Sequence, residues 1–132
     1  MNYNVLNSEI PLYYEKIEGG VYHGIIKDVK SVDDDKKIQV RIMLELKNGT
    51  FHNVFIRTPF QPKYRYDMIL RLSDACKTRI PSEFIGKEVY VSVKINTPSS
   101  SERYENVVDI VDSDDYDEKG GYEITEKGYF IK

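Results

Sequence analysis

Phe51 and Phe55 stand four residues apart in a stretch of alternating apolar and polar side chains, with Arg57 two positions on and Arg41 in the alternating run before it. Flat rings interleaved with cations suit an unpaired nucleic-acid strand, because every base offers a face to stack and every nucleotide a phosphate to neutralise. Lys63-Tyr64-Arg65-Tyr66 repeats the alternation just downstream, and Lys94, Arg103 and Tyr104 form a third, sparser group. On this reading Arg41, Arg57, Lys63 and Arg65 meet phosphates, and Phe51, Phe55 and Tyr64 meet bases. Lys94, Arg103 and Tyr104 would extend the surface. The same residues also have plainer readings. Exposed aromatics mark protein contacts, a dimer interface, or a face covered by the tyrosine-bearing N-terminal segment. Tyr64 and Tyr66 can open a helix packed on the sheet, and charges in a long loop are commonly just solvated.

Other chemistries fail on spacing. His23 and His52 stand alone, with no second ligand at a distance useful for a metal. Asp115, Asp117, Gly120 and Glu126 fall on positions 1, 3, 6 and 12 of a calcium loop, but Lys119 occupies position 5, where an oxygen is required, and no amphipathic helix precedes them. There is no glycine-rich phosphate loop, no nucleophile elbow, and no histidine near a serine or the cysteine. Carboxylate pairs sit in loops and the tail, where nothing raises a pKa for acid-base work. The sequence therefore implies no enzyme, no metal and no cofactor.

The elements that must position the rings follow from the hydrophobic pattern. Asn48-Gly49 marks a turn between two alternating runs. A two-residue loop would pair Leu44 with Asn53 and put Asn53 and Arg57 among the aliphatics. A three-residue loop, Lys47-Asn48-Gly49, pairs Leu44 with His52, Ile42 with Val54 and Val40 with Ile56. One residue of slip exchanges the faces wholesale, so burial of aliphatic on aliphatic selects the second register. It leaves Gln39, Arg41, Met43, Glu45, Phe51, Asn53, Phe55 and Arg57 on the opposite face.

At 132 residues the chain is long enough for one domain with a real core. A single cysteine, Cys76, excludes an internal disulfide, and no apolar N-terminal run resembles a signal peptide or a membrane span, so a reduced, cytoplasmic setting is expected. Asn48-Gly49-Thr50 then matches a glycosylation sequon only by accident. The net charge of −3 divides unevenly: residues 19–111 carry 15 Lys and Arg against 12 Asp and Glu, whereas residues 112–132 carry 3 against 7. A mildly basic body with an acidic end is compatible with a nucleic-acid binder, and also with ordinary surface charge.

Residues 1–18 have no clear period and read as an N-terminal arm. Gly19-Gly20 open a strand to Val32, in which Gly24 interrupts the alternation as a bulge or bend would. The hairpin follows, then a helix over 64–78 whose Met68, Ile69, Leu72, Ala75 and Cys76 form one apolar stripe. A strand over 88–95 alternates cleanly, residues 96–102 read as a polar loop, 104–111 as the last strand, and 113–132 as an acidic, partly disordered tail. Strand, hairpin, helix, strand, loop, strand is the order of an all-β fold with one helix, an OB-like five-stranded Greek-key β-barrel over residues 19–112 with the helix between strands 3 and 4. An open α+β sheet with the helix across it fits the same periodicity.

With that order, the Ile85-Gly86-Lys87 step before the fourth strand and the acidic tail, the chain resembles OB-fold single-stranded-DNA-binding proteins of phages and mobile elements. The resemblance implies binding of single-stranded DNA with little sequence preference, in replication or recombination, across strands 2 and 3 between loops 31–36 and 96–103. It also implies docking of replication proteins on the tail, and a homo-oligomer is compatible with it. Two departures stand out: Asp33-Asp34-Asp35 border the expected path, and Lys132 follows Tyr129-Phe130-Ile131 where that family ends on an apolar residue. RNA in place of DNA is left open, since no residue identifies a 2′-hydroxyl reader. The competing class is a protein-interaction module, a mobile-element accessory factor or inhibitor that uses the same sheet face.

Overall fold

The computed structural model describes residues 5–7 and 16–131; most of the expected N-terminal arm, residues 1–4 and 8–15, lies outside the described residues. Five strands form one antiparallel sheet: β1 (Gly20–Val32), β2 (Lys37–Glu45), β3 (Phe51–Pro59), β4 (Glu88–Ser99) and β5 (Glu102–Asp112), in spatial order β3-β2-β1-β4-β5. Helix α1 (Met68–Cys76) follows β3. A second helix, α2 (Ser113–Lys119), and a short hairpin of β6 (Glu123–Ile124) and β7 (Phe130–Ile131) follow β5. The fold is mostly β, as the alternation requires. Ile26, Val40, Ile42, Leu44, Val89 and Val91 fill the inner face with no exposure, and α1 adds Ile69, Leu72, Ala75 and Cys76.

The sheet is not closed into a barrel. β3 and β5 are its two edges, and the curl brings them near one another without a backbone ladder. Side chains span the gap instead: His52 on β3 lies 2.8 Å from Glu105 on β5. α1 packs on β5 and touches β3, and its Arg71 donates to the Val108 carbonyl at 2.7 Å, so an edge acceptor of β5 is taken by the helix. The helix is also shorter than the expected 64–78 and spans only its apolar stripe, Met68–Cys76. Asp67 stands at its N-cap and Lys77, with φ 57°, ends it.

Three further expectations are corrected. Gly24 is not the bulge; the register shift falls between Ile26 and Asp28. A β-carbon on Gly24 would stand 2.8 Å from Ile42 Cγ2 and 2.9 Å from Leu44 Cδ2, so the glycine lets β1 lie close on β2 side chains. The polar segment 96–102 is mostly strand, carried by the Ser99 and Glu102 pairing with only Ser100 and Ser101 between. The acidic tail is not a solvated linker over its described residues. Asp112 caps α2 by accepting from the Asp115 N–H at 3.1 Å, and β6–β7 lies on the outer face of β4 and β5.

Candidate nucleic-acid interface

The central hairpin has the register that the aliphatics demand: Leu44 faces His52, Ile42 faces Val54 and Val40 faces Ile56. Leu46 and Thr50 close the three-residue loop, with the Leu46 N–H to Thr50 O at 2.9 Å and the Gly49 N–H returning to Leu46 O at 3.0 Å. Gly49 has φ 81°, the left-handed conformation that this loop asks of its last residue. Phe51 and Phe55 consequently point away from the core, 59% and 52% exposed. Arg41 stands directly across from Phe55, and Gln39 from Arg57. Among the described residues, the one hydrogen bond of Arg41 is a long contact of 3.5 Å to Asn53 Oδ1, and Arg57 makes none. Two rings roughly 13 Å apart along the strand form a ridge with nothing described upon it, the Phe55 end beside Arg41 and Arg57 and the Phe51 end across from Glu45.

The ten side chains singled out in the sequence divide into three groups. Arg41, Phe51, Phe55 and Arg57 share the outer face of β2–β3. Lys63, Tyr64 and Arg65 occupy the exposed loop after β3, whose start is fixed by the Phe60 N–H on Lys36 O at 2.9 Å. Asp67 holds that loop by accepting from Lys63 N at 2.6 Å and Tyr64 N at 2.9 Å. These N–H groups, that of Tyr64 foremost, keep the Asp67 carboxyl below its ordinary range. Tyr64 is thereby held 75% exposed at the lip of a cavity of about 250 Å³ shared with Thr58, Pro59 and Gln61.

The third group lies elsewhere. Lys94 is beside the β6–β7 hairpin, its Cε 3.3 Å from the position of a β-carbon on Gly128. Arg103 is 3.3 Å from Glu105 and donates to the Ile17 carbonyl, which ties the chain entering β1 to β5. Tyr104 donates to Glu102 at 2.7 Å, a bond that raises the phenol above its ordinary value and lowers the carboxyl. Arg103 thus has a structural role, and Tyr104, although exposed, is tethered at the hairpin tip.

The remaining chemistry is quiet. Burial pushes the Cys76 thiol up to about 12, so no thiolate forms near neutrality. His23 lies 3.5 Å from both Glu45 and Glu88, and no group of described residues has the composition and geometry of a metal site. No described helix is long and apolar enough to cross a membrane.

Two residues absent from the sequence-derived site come together only in three dimensions. Arg71 lies 4.8 Å from the centre of the Tyr129 ring, and both line a cleft with Tyr66. They are 58 positions apart, joined because the tail folds back over β5, and no local pattern carries that information. No family model matches this chain, and no characterised protein matches its sequence.

Proposed function

We propose that this protein binds single-stranded DNA with little sequence preference along the outer face of β2 and β3, the sheet being a partly opened relative of the OB barrel. The observation that carries the reading is the pair of exposed phenylalanines on one face, with Arg41 across from Phe55 and Arg57 two residues beyond it, both with little else to bind, although Glu45 stands across from Phe51. A soluble domain gains nothing in stability by turning two benzyl groups to water, whereas a stacked base contributes about 1 to 3 kcal/mol per ring. Arg41, Arg57, Lys63 and Arg65 supply phosphate contacts, and Tyr64 a further stacking surface at the end of β3. In OB proteins the second and third strands carry the oligonucleotide, and replication or recombination of a phage or mobile element is the setting in which such a small binder acts.

A fluorescence anisotropy titration with labelled oligo-dT, single-stranded RNA of matched length and a duplex, at two ionic strengths, tests the proposal. Oligo-dT is expected to bind and the duplex to bind poorly, because a flat aromatic ridge does not enter a groove. Replacing both rings, Phe51→Ala with Phe55→Ala, is expected to cost at least about 2 kcal/mol of binding, roughly thirty-fold, with an unchanged melting temperature. Binding to none of the three ligands overturns the proposal and turns the same face into a protein-docking surface. A large fall in melting temperature in the double variant would show the rings to be core.

A further inference from the structure

We propose that the cleft between α1 and the β6–β7 hairpin is a second nucleotide site, which holds one base and one phosphate of the same single strand. The cleft has a volume of about 480 Å³ and is lined by Tyr66, Arg71, Asp109, Tyr129, Phe130 and Ile131, a size within the range of small-ligand sites. Arg71 is its chemical centre. Its Nη1 donates to Val108 O at 2.7 Å and lies 3.8 Å from Asp109, while its guanidinium sits over the Tyr129 ring. Those contacts use one corner of a five-donor fork, and among the described residues Nε and Nη2 make no hydrogen bond. A guanidinium pinned at one corner and open at the others is preorganised for a phosphate oxygen pair.

Asp109 lines the same cleft, its Oδ1 accepting from Ile110 N and its Oδ2 from Phe130 N, each at 2.9 Å, so an entering phosphate gains from Arg71 only what this carboxylate leaves of its charge. Three rings, Tyr66, Tyr129 and Phe130, line the cleft with the Arg71 guanidinium, and Tyr66, 69% exposed, has the Arg65 guanidinium 5.5 Å from its ring centre just outside it. Rings and guanidinium planes are both surfaces on which an unstacked base lies. Tyr66 belongs to the loop that carries Lys63 and Tyr64, so a strand leaving the end of β3 reaches the cleft along one continuous segment of chain. The inference takes its ligand from the single-strand reading of β2–β3 and adds to it the place where the footprint ends.

The test compares oligo-dT of about 4 and about 16 nucleotides, the limits of one such domain's site size, on the full chain and its variants. Tyr66→Ala, chosen because that ring is exposed, and Tyr129→Ala, with melting curves as control, are each expected to weaken the long oligonucleotide about five-fold or more and leave the short one unchanged. Oligo-dT carrying one 5-iodouracil near an end is expected to crosslink to Tyr66 or Tyr129 under ultraviolet light. If the long oligonucleotide binds both variants as it binds the parent, and every crosslink falls on Phe51 or Phe55, the cleft is not a site while the β2–β3 reading stands. If no oligonucleotide binds the parent chain, both readings fall together.

Discussion

The outer face of the sheet has two halves that treat aromatic side chains in opposite ways. On β4, Tyr90 is covered: the Tyr116 ring of α2 stacks on it at 4.2 Å, and Tyr122 and Phe130 continue the cluster at 5.8 and 5.9 Å from Tyr116. On β3, Phe51 and Phe55 have no ring partner among the described residues. The covering segment springs directly from the end of β5, so it reaches β4 and β5 with a short loop and little closure entropy. It carries its own glycine for the purpose, since a β-carbon on Gly128 would stand 2.9 Å from Ser92 Oγ. The chain thus seals one aromatic set with some twenty residues of tail and leaves the other in water. Rings that contribute packing are capped; rings left bare are available to a ligand.

The largest expected difference between the halves is in salt dependence. With Arg41, Arg57, Lys63 and Arg65 on four phosphates, the logarithmic salt slope for a single strand is about −3, so affinity for oligo-dT should fall about fifty-fold between roughly 50 and 200 mM sodium chloride. Anisotropy titrations over that range check it. A flat response would remove the phosphate contacts and make the bare half a protein surface. Next in size is a crossed pair of truncations. Phe130→Ala should cost about 2 kcal/mol of stability, below the range for a fully buried ring, and leave alone the affinity for the short oligo-dT of about 4 nucleotides, which does not reach the cleft that Phe130 lines. Phe55→Ala should move stability by less than about 0.5 kcal/mol and reduce affinity about ten-fold. Melting curves and titrations on the two proteins settle which half does which work, and equal stability losses would erase the distinction between them.

Gly128→Ala acts on the covered half and on the cleft wall that β6–β7 provides, away from Phe51 and Phe55. Its φ of 94° lies in the left-handed region and its position meets Ser92, so about 1 to 2 kcal/mol of stability should be lost through strain and displacement of β6–β7. Amide exchange should then quicken at Phe130, whose N–H is held by the Asp109 carboxylate. Protection unchanged at that amide would mean the hairpin docks by some other contact.

How far this contrast was legible in the sequence depends on the range of the signal. The register of β2 and β3 was, because the aliphatic pattern and Gly49 agree on one loop length. The identical bonding recurs at Thr125 to Tyr129, where the Gly128 N–H returns to Thr125 O at 2.9 Å and the Thr125 N–H meets Tyr129 O at 3.0 Å. That second hairpin was equally readable from Gly128, but its strands are two residues each, too short for alternation to show. α2 was readable as well: Asp112 is a capping residue, Asp114 and Asp115 favour a first turn, and Gly120 ends the helix with φ 51°. An acidic run reads as solvated when its caps are overlooked. The unclosed seam between β3 and β5 was not readable, since the contacts that stand there, Arg71 on the Val108 carbonyl and His52 beside Glu105, join residues 37 and 53 positions apart. For the same reason the cleft of Tyr66, Arg71 and Tyr129 has no signature in any window.

The smallest expected effect lies at the border of the bare half, in the loop between β1 and β2. Asp33, Asp34 and Asp35 have φ of 54°, 52° and 65°, a run of left-handed residues that only aspartate, asparagine and glycine bear cheaply. Asp35 is anchored by the Ser31 hydroxyl and the Asp33 carbonyl accepts from Lys36 N at 3.0 Å, which leaves Asp34 the one to change. Asp34→Gly removes both the conformational cost and a negative charge, whereas Asp34→Asn removes the charge and keeps most of the cost. The glycine variant should gain about 0.5 to 1 kcal/mol of stability, seen as a rise of a few degrees in Tm, and the asparagine variant much less. If the loop borders a phosphate path, both should bind oligo-dT slightly better at low salt, by about two-fold or less, and equally well at high salt. An affinity gain in the glycine variant alone would trace to loop shape, and no gain in either would place the acidic loop, and the strand it was expected to flank, out of reach of each other.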